Sequence, residues 1–485
     1  MKTTIGNNGQ HIYQQIANNI EKLILDGVLK IGDKLPSVRI MSKEQGISMS
    51  TAFQAYYSLE GKGLIESRPK SGYYVRYNPK KKPKLPQKYE PETIESAVSV
   101  NEIVSRVYKD LDSENIIRFS LAIPPMELLP VAKLNKAIVS AIRKTKDSCT
   151  NYEHTQGNIE LRRQISKLAF NWQGQVSEGD IIVTSGCSEA LVICLKAATR
   201  PGDTVAIESP TFFGIFRILE LLGLKAVEIP TDPETGVDLE YLKSSISKFN
   251  IRACLFIANF NNPLGCCMPD INKQALVEML AELEIPLIED DIYGELYFGT
   301  QRPRTCKSYD KYGMVLYCTS ITKSIAPGYR IGWTIPGKFL EKARNVKVSY
   351  SGPTTTITQS ALAYFLGNGR YEYHLKTMRK MLYTQCLRYI QAIMEFFPDD
   401  TRVSRPQGGF VLWIELNKNI DTFRLHQEAI KHSISIAPGH IFSLQPIYTS
   451  CLRISFGQPW NSEIERGLKI LGKIAEEMKR ENSRK

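Results

Sequence analysis

No stretch of this chain approaches the 18 or so uninterrupted apolar residues that a membrane helix requires. The run Ala190-Leu191-Val192-Ile193-Cys194-Leu195 is stopped at once by Lys196, so no membrane span is expected. The first residues, Met1-Lys2-Thr3-Thr4-Ile5-Gly6-Asn7-Asn8, lack the apolar core of a secretory signal. A cytoplasmic location is expected, with the ten cysteines reduced. C-x-x-C spacing is missing where it would be looked for, because Cys266 and Cys267 are adjacent. None of the six histidines (His11, His154, His374, His426, His432, His440) has a carboxylate or cysteine partner at metal-site spacing, so no metal is expected. Internal repeats are also missing, and low complexity is confined to one lysine–proline segment.

What is present is the composition of a folded chain: 42% hydrophobic and 23% charged residues. Its 485 residues allow two to four domains at roughly 100–200 residues each. The charge is unevenly spread. Residues 1–90 hold 15 Lys/Arg against 7 Asp/Glu, a net of +8, while the other 395 residues carry only +4 of the total +12. A basic end on a nearly neutral body suits a nucleic-acid-binding module, since phosphate contacts supply most non-specific affinity.

The pattern within that end is more specific. Ile12, Tyr13, Ile16, Ile20, Leu23 and Ile24 fall at helical spacing. Ser37 sits where an N-cap belongs, with Val38 and Met41 inward and Gly46 as the stop. Ser48 or Ser50 can cap a third helix that places Ala52, Ala55, Tyr56 and Leu59 on one face. Leu64 to Ser67 and Tyr73 to Val75 then alternate like two short strands about the turn Arg68-Pro69-Lys70-Ser71-Gly72. Three short helices and a hairpin predict a winged helix-turn-helix. The segment GDKLPSVRIMSKEQGISMSTAFQAYYSLEGKGLIESRPKSGYYV, Gly32 to Val75, resembles the DNA-binding domain of GntR-type bacterial regulators. The resemblance implies that the third helix enters the major groove of double-stranded operator DNA. Arg39, Ser48, Ser50 and Thr51 would face DNA there, with Arg68, Lys70 and Gly72 in the wing. Met49 stands where the family often has arginine after the first serine.

Asn78-Pro79-Lys80-Lys81-Lys82-Pro83-Lys84-Leu85-Pro86 packs three prolines and four lysines into nine residues, a semi-rigid basic linker. Ile94 to Leu111 reads as a helix leading to the second domain. From Ile116 the chain alternates short apolar runs with helical stretches. Candidate strands are Asp180–Thr184, Thr204–Ile207, Ala253–Ile257, Pro286–Ile288 and Met314–Cys318. This alternation predicts a mainly parallel sheet covered by helices on both faces, with ligands beyond the carboxyl ends of the strands.

Four polar clusters sit just past those ends: Ser185-Gly186-Cys187-Ser188-Glu189, Asn259-Phe260-Asn261-Asn262-Pro263-Leu264-Gly265, Glu289-Asp290-Asp291-Ile292-Tyr293, and Ser320-Ile321-Thr322-Lys323 followed by Arg330. The strings SITKSIAPGYRIGW, NNPLG and EDDIY resemble fold-type I pyridoxal-phosphate enzymes of the aspartate aminotransferase family, over roughly Ile116 to Ile474. The resemblance implies pyridoxal 5'-phosphate as cofactor and Lys323 as the catalytic amine that condenses with its aldehyde. It further implies that Asp290 pairs with the ring nitrogen and that Tyr293 and Asn262 bond the 3-oxygen. Phe212 would stack on one ring face and Ile292 cover the other. Cys187, Ser188, Ser320 and Arg330 would grip the phosphate, Arg453 would clamp a substrate carboxylate, and Tyr152 would reach the phosphate in a partner subunit. Two positions depart from the family pattern: Phe212 replaces a common tyrosine, and Phe119-Ser120-Leu121-Ala122-Ile123-Pro124-Pro125 lacks the usual glycine of a loop that often encloses substrate.

A GntR-like reader joined by a basic linker to such a body resembles the MocR subfamily of regulators. The expected class is therefore α/β: a winged helix-turn-helix (residues 1–77), a Lys/Pro linker with a connecting helix (78–115), and a large fold-type I transferase domain with a smaller C-terminal α/β subdomain (116–480). The resemblance implies a head-to-tail homodimer regulating transcription, with an amino compound or amino acid as effector or substrate. Two other assignments remain open on these residues: a working aminotransferase, converting amino acid to 2-oxo acid, that carries a DNA-binding module, and a non-catalytic scaffold that only spaces two readers.

Overall fold

The computed structural model describes residues 12–26, 28–30, 32–61, 64–68, 71–76, 83–98, 104, 116–145, 147 and 149–483. The head holds α1 (Ile12–Leu25), α2 (Val38–Glu44), α3 (Met49–Gly61) and the antiparallel pair β1 (Ile65–Arg68) and β2 (Gly72–Val75). Ile16, Ile20 and Ile24 of α1 pack against Ala52, Ala55, Tyr56 and Leu59 of α3, with Met41, Ile65 and Val75 closing the core. Leu23, expected inward, is exposed; it lies about 100° around the helix from Ile24, on the flank of the apolar stripe. Ser37 Oγ caps α2 by accepting from Ile40 N–H at 3.2 Å, and Gly46 ends that helix's turn at φ +61°.

The expected linker is tied to the body from Pro83 onward; residues 77–82 lie outside the described set. Val403 N–H donates to Lys84 O at 2.9 Å, Gln87 N–H to Glu415 Oε2 at 2.7 Å, and Lys88 pairs with Asp238. The helix expected over Ile94–Leu111 begins instead as a strand, β3 (Ser96–Ala97), pairing antiparallel with Lys225 and Ala226. Unpaired amides at the sheet edge outcompete local helix propensity here. Farther along this span Val104 is helical, while 99–103 and 105–115 lie outside the described residues.

The body's large sheet is built from β3, β4 (Ile182–Thr184), β5 (Thr204–Ser209), β6 (Lys225–Asp232), β7 (Ile251–Phe256), β8 (Leu287–Asp290), β9 (Val315–Ser320) and β10 (Gly332–Ile335). Their spatial order is β3–β6–β5–β7–β8–β9–β10–β4, with a ninth, two-residue strand (Gly236–Val237) pairing antiparallel with the end of β6. The central pairs from β6 to β9 are parallel, whereas β10 runs antiparallel to both β9 and β4. Alternate residues face opposite layers. Val205, Ile207, Leu255 and Ile288 pack on α4 (Cys187–Ala198), while Ala206, Cys254, Phe256 and Leu287 pack on α5 (Asp270–Glu282).

Further along come α6 (Leu340–Tyr350), the 27-residue α7 (Arg370–Phe396), and a four-stranded sheet. That sheet comprises β11 (Arg402–Val403), β12 (Val411–Glu415), β13 (Ala437–Pro438) and β14 (Cys451–Ser455), in the order β11–β12–β14–β13. The head rests on α7: Lys380 pairs with Glu60 and Arg388 with Glu66, both at 2.9 Å. Among the described residues no helix is long and apolar enough to cross a membrane.

Candidate cofactor and ligand site

Strand direction places the carboxyl ends of β4, β5, β7, β8 and β9 around one cavity of about 250 Å³. The turn after β4 contributes Cys187 and Ser188; the segment after β5, Phe212; the loop after β7, Asn262; β8, Asp290 and, just beyond it, Ile292 and Tyr293; the end of β9, Ser320 and Lys323. Arg330 follows on the turn before β10, and Arg453 arrives from β14 across the small sheet. Of the body residues to which the resemblance gives a role toward cofactor or substrate, Tyr152 alone is absent from this lining; it is 95% exposed.

The charges are confined and opposed. Asp290 is 4% exposed, and its Oδ1 accepts from Ile292 N–H at 3.1 Å and from the Cys187 thiol at 3.4 Å. Burial raises its pKa to about 6. Burial, and then the Arg453 charge, lower the Lys323 amine to about 8, as expected when an ammonium loses water beside another cation. Lys323 Nζ donates to Ala122 O at 2.6 Å. Arg453, 2% exposed, donates to Asn262 Oδ1 at 3.2 Å and to Ser120 O. Residues 120–123 thus line the cavity, with the carbonyls of Ser120 and Ala122 held by Arg453 and Lys323.

Three partners of the clustered residues, Lys347, Arg302 and Tyr317, went unnoticed in the sequence. Beneath the turn after β4, Glu189 Oε2 accepts from Ser185 N–H, and Glu189 Oε1 pairs with Lys347 of α6 at 3.0 Å. Lys347 also donates to Ser351 and Thr354 hydroxyls, both at 3.1 Å. From the other side, Arg330 Nη2 donates to Ser185 O at 3.1 Å. Behind Asp290, Asp291 is held by Arg302, by Tyr317 Oη at 2.9 Å and by Asn259 Nδ2 at 2.9 Å. Nothing local in sequence links Glu189 to Lys347, 158 residues apart.

The residues present fit pyridoxal phosphate. A Cβ at Gly186 would lie 2.6 Å from the Arg330 guanidinium, so only glycine leaves that guanidinium in place beside the turn. Gly186 caps α4 with no side-chain bond, leaving first-turn amides at a helix N-terminus for a phosphate. A buried carboxylate and an amine near neutral pKa complete the donor set. Among the described residues no cluster of metal-ligating side chains occurs.

On the head, Ser48 Oγ accepts from Thr51 N–H at 3.1 Å and lies 2.8 Å from both Ser50 Oγ and Thr51 Oγ1. Ser48 therefore caps the start of α3, and the Ser50 and Thr51 hydroxyls gather on its oxygen. Arg39 is exposed on α2. Arg68 in the wing bonds Glu66 at 2.9 Å and lies 4.3 Å from the Tyr74 ring centroid. Gly72 has φ +107°, a conformation open to glycine and strained for other residues; Lys70 lies outside the described residues.

Residues 12–75 match the family of bacterial regulatory proteins, gntR family, and residues 116–471 match aminotransferase class I and II. The HTH-type transcriptional regulator YjiR of Escherichia coli (strain K12) is 36% identical over 463 residues, 95% of this chain and 98% of that one. YdcR of the same organism is 35% identical over 96% of this chain and 99% of its own. The chain belongs to the HTH-type transcriptional regulators that carry an aminotransferase class I and II domain. The body of this regulator also matches the crystal structure of Pyrococcus horikoshii kynurenine aminotransferase with TM-score 0.73 and 26% identity, covering 78% of this chain and 95% of that one. The regulator therefore joins a gntR-type DNA-binding head to a pyridoxal-phosphate-type aminotransferase fold, the arrangement its sequence resembled.

Proposed function

We propose that this regulator works as a homodimer whose heads read duplex DNA and whose bodies hold pyridoxal phosphate and sense a carboxylate-bearing amino compound. The observation that carries this reading is the meeting of Lys323, Asp290 and Arg453 in one cavity of a chain that also bears an exposed helix-turn-helix.

When bound, pyridoxal phosphate supplies an aldehyde open to primary amines and an electron-withdrawing ring. The chain's residues do the rest. Lys323 offers an amine whose pKa of about 8 leaves part of it neutral at physiological pH. Asp290 supplies the buried negative charge for a ring N–H, with Tyr293 and Asn262 beside it for the 3-oxygen. Phe212 and Ile292 exclude water from the two ring faces. The α4 amides of Cys187 and Ser188, the hydroxyls of Ser188 and Ser320, and Arg330 hold phosphate. Arg453 binds the effector's carboxylate once Ser120 O gives way. The same Lys323 amine could accept and return a proton, which would allow weak amino-group transfer beside sensing. Tyr152, fully displayed, supports a second subunit seated over it. Switching requires that ligand bind two arrangements of the heads with different free energies.

The test is an absorbance titration with pyridoxal phosphate, joined to footprinting of promoter DNA with and without cofactor and amino acids. Wild type should gain an imine band that Lys323→Ala lacks, and its footprint should change with ligand. A colourless wild type contradicts cofactor binding. Rapid 2-oxo acid production with no footprint would make the chain an enzyme first.

A further inference from the structure

The reading helix α3 carries no lysine or arginine along its whole length, Met49 to Gly61. Ala52, Ala55, Tyr56 and Leu59 are buried in the head, so the outward face is Met49, Ser50, Phe53, Gln54 and Tyr57, all exposed. Met49 and Phe53 keep 56% and 51% of their surface open to solvent. Tyr57, at the far end, lies with its ring centroid 5.7 Å from Lys376 Nζ and 5.2 Å from Lys380 Nζ of α7. The first two turns, 49–54, are therefore the part left for a groove. The cations sit to either side, with Arg39 and Lys43 on α2 and Arg68 in the wing. Flanking positions suit phosphates; the helix face suits base edges.

Base chemistry then decides. In the major groove guanine offers two acceptors, best met by arginine or lysine. Adenine offers an acceptor and a donor, matched by an asparagine or glutamine amide, and thymine offers a methyl group to apolar side chains. The helix face holds one amide and two apolar side chains but no cation; its acidic residue, Glu60, is paired with Lys380. We infer that α3 selects A·T pairs, with Gln54 bonding an adenine and Met49 and Phe53 packing on thymine methyls. This rests on the head binding duplex DNA.

The test is selection of a random duplex library by the full-length protein at fixed salt. The selected half-sites should carry A·T at the pairs facing α3. Gln54→Ala should weaken the selected site by about tenfold and erase the adenine preference at one pair. Replacing thymine by uracil, which removes only the methyl, should weaken wild type several-fold and leave the Met49→Ala/Phe53→Ala variant unmoved. Met49→Arg should acquire a guanine. Guanine-centred half-sites for wild type, or a Gln54→Ala variant of unchanged preference, would overturn the inference while leaving DNA binding intact. Retention of no duplex at all would overturn the DNA reading beneath it and leave Met49 and Phe53 as a surface for another protein.

Discussion

The head's reading face and the body's cavity handle charge in opposite ways. On the head, cations stand in solvent beside a helix that has none, and the Ser48, Ser50 and Thr51 hydroxyls bond one another. In the body, Arg453, Asp290 and the amine of Lys323 are withdrawn from water, and burial moves the last two toward neutral pKa values. A surface that docks on a polyanion gains from hydrated, long-range charge. A site that must present a nucleophilic amine needs that charge weakened, and desolvation weakens it.

The contrast breaks first where burial is deepest. Lys347→Met strips Glu189 of its buried partner under the turn after β4 and should cost about 3–5 kcal/mol of stability. Urea unfolding checks this, and adding Glu189→Gln, which keeps an acceptor for Ser185 N–H, should return much of it. Next, Arg453→Gln removes a buried guanidinium from the cavity. It should weaken amino-acid binding about 10–100-fold with pyridoxal phosphate affinity nearly unchanged, read by absorbance titration.

The amine itself gives a pH signature. Its pKa is lowered from 10.5 to about 8, so the neutral, reactive form appears at lower pH than in a free lysine. The rate of pyridoxal phosphate capture should rise about tenfold per pH unit below 8 and level off above it; a rise continuing to pH 10 would mean an unshifted amine. On the head the effect should be smallest. Arg39→Gln should weaken DNA binding evenly across sequences and reduce the slope of log affinity against log salt by about 1.

Much of this was legible because it is local. Each cluster at the strand ends strings its groups within a few residues of one strand, so alternation and turn chemistry place them together once the sheet is parallel. The head's core followed from helical spacing in the same way, except that Leu23, at the stripe's flank, faces water. The features that escaped depend on distant partners. Ser96 and Ala97 look helical until the edge strand β6 offers them hydrogen bonds. Asn78 to Pro86 read as a semi-rigid linker because Arg402, Glu415 and Asp238, which hold Leu85, Gln87 and Lys88, come far later in the chain. Lys347 stands 158 residues from Glu189, and only the fold brings it beneath Ser185. Strand β10 escaped because it runs against its neighbours directly after the Arg330 turn.

The most direct test is to load the purified regulator with pyridoxal phosphate, reduce it with borohydride, and map the labelled peptide by mass spectrometry. The account predicts one pyridoxyl group, on the side chain of Lys323, and none in Lys323→Ala. A label on any other lysine, or none on the wild type, would contradict it.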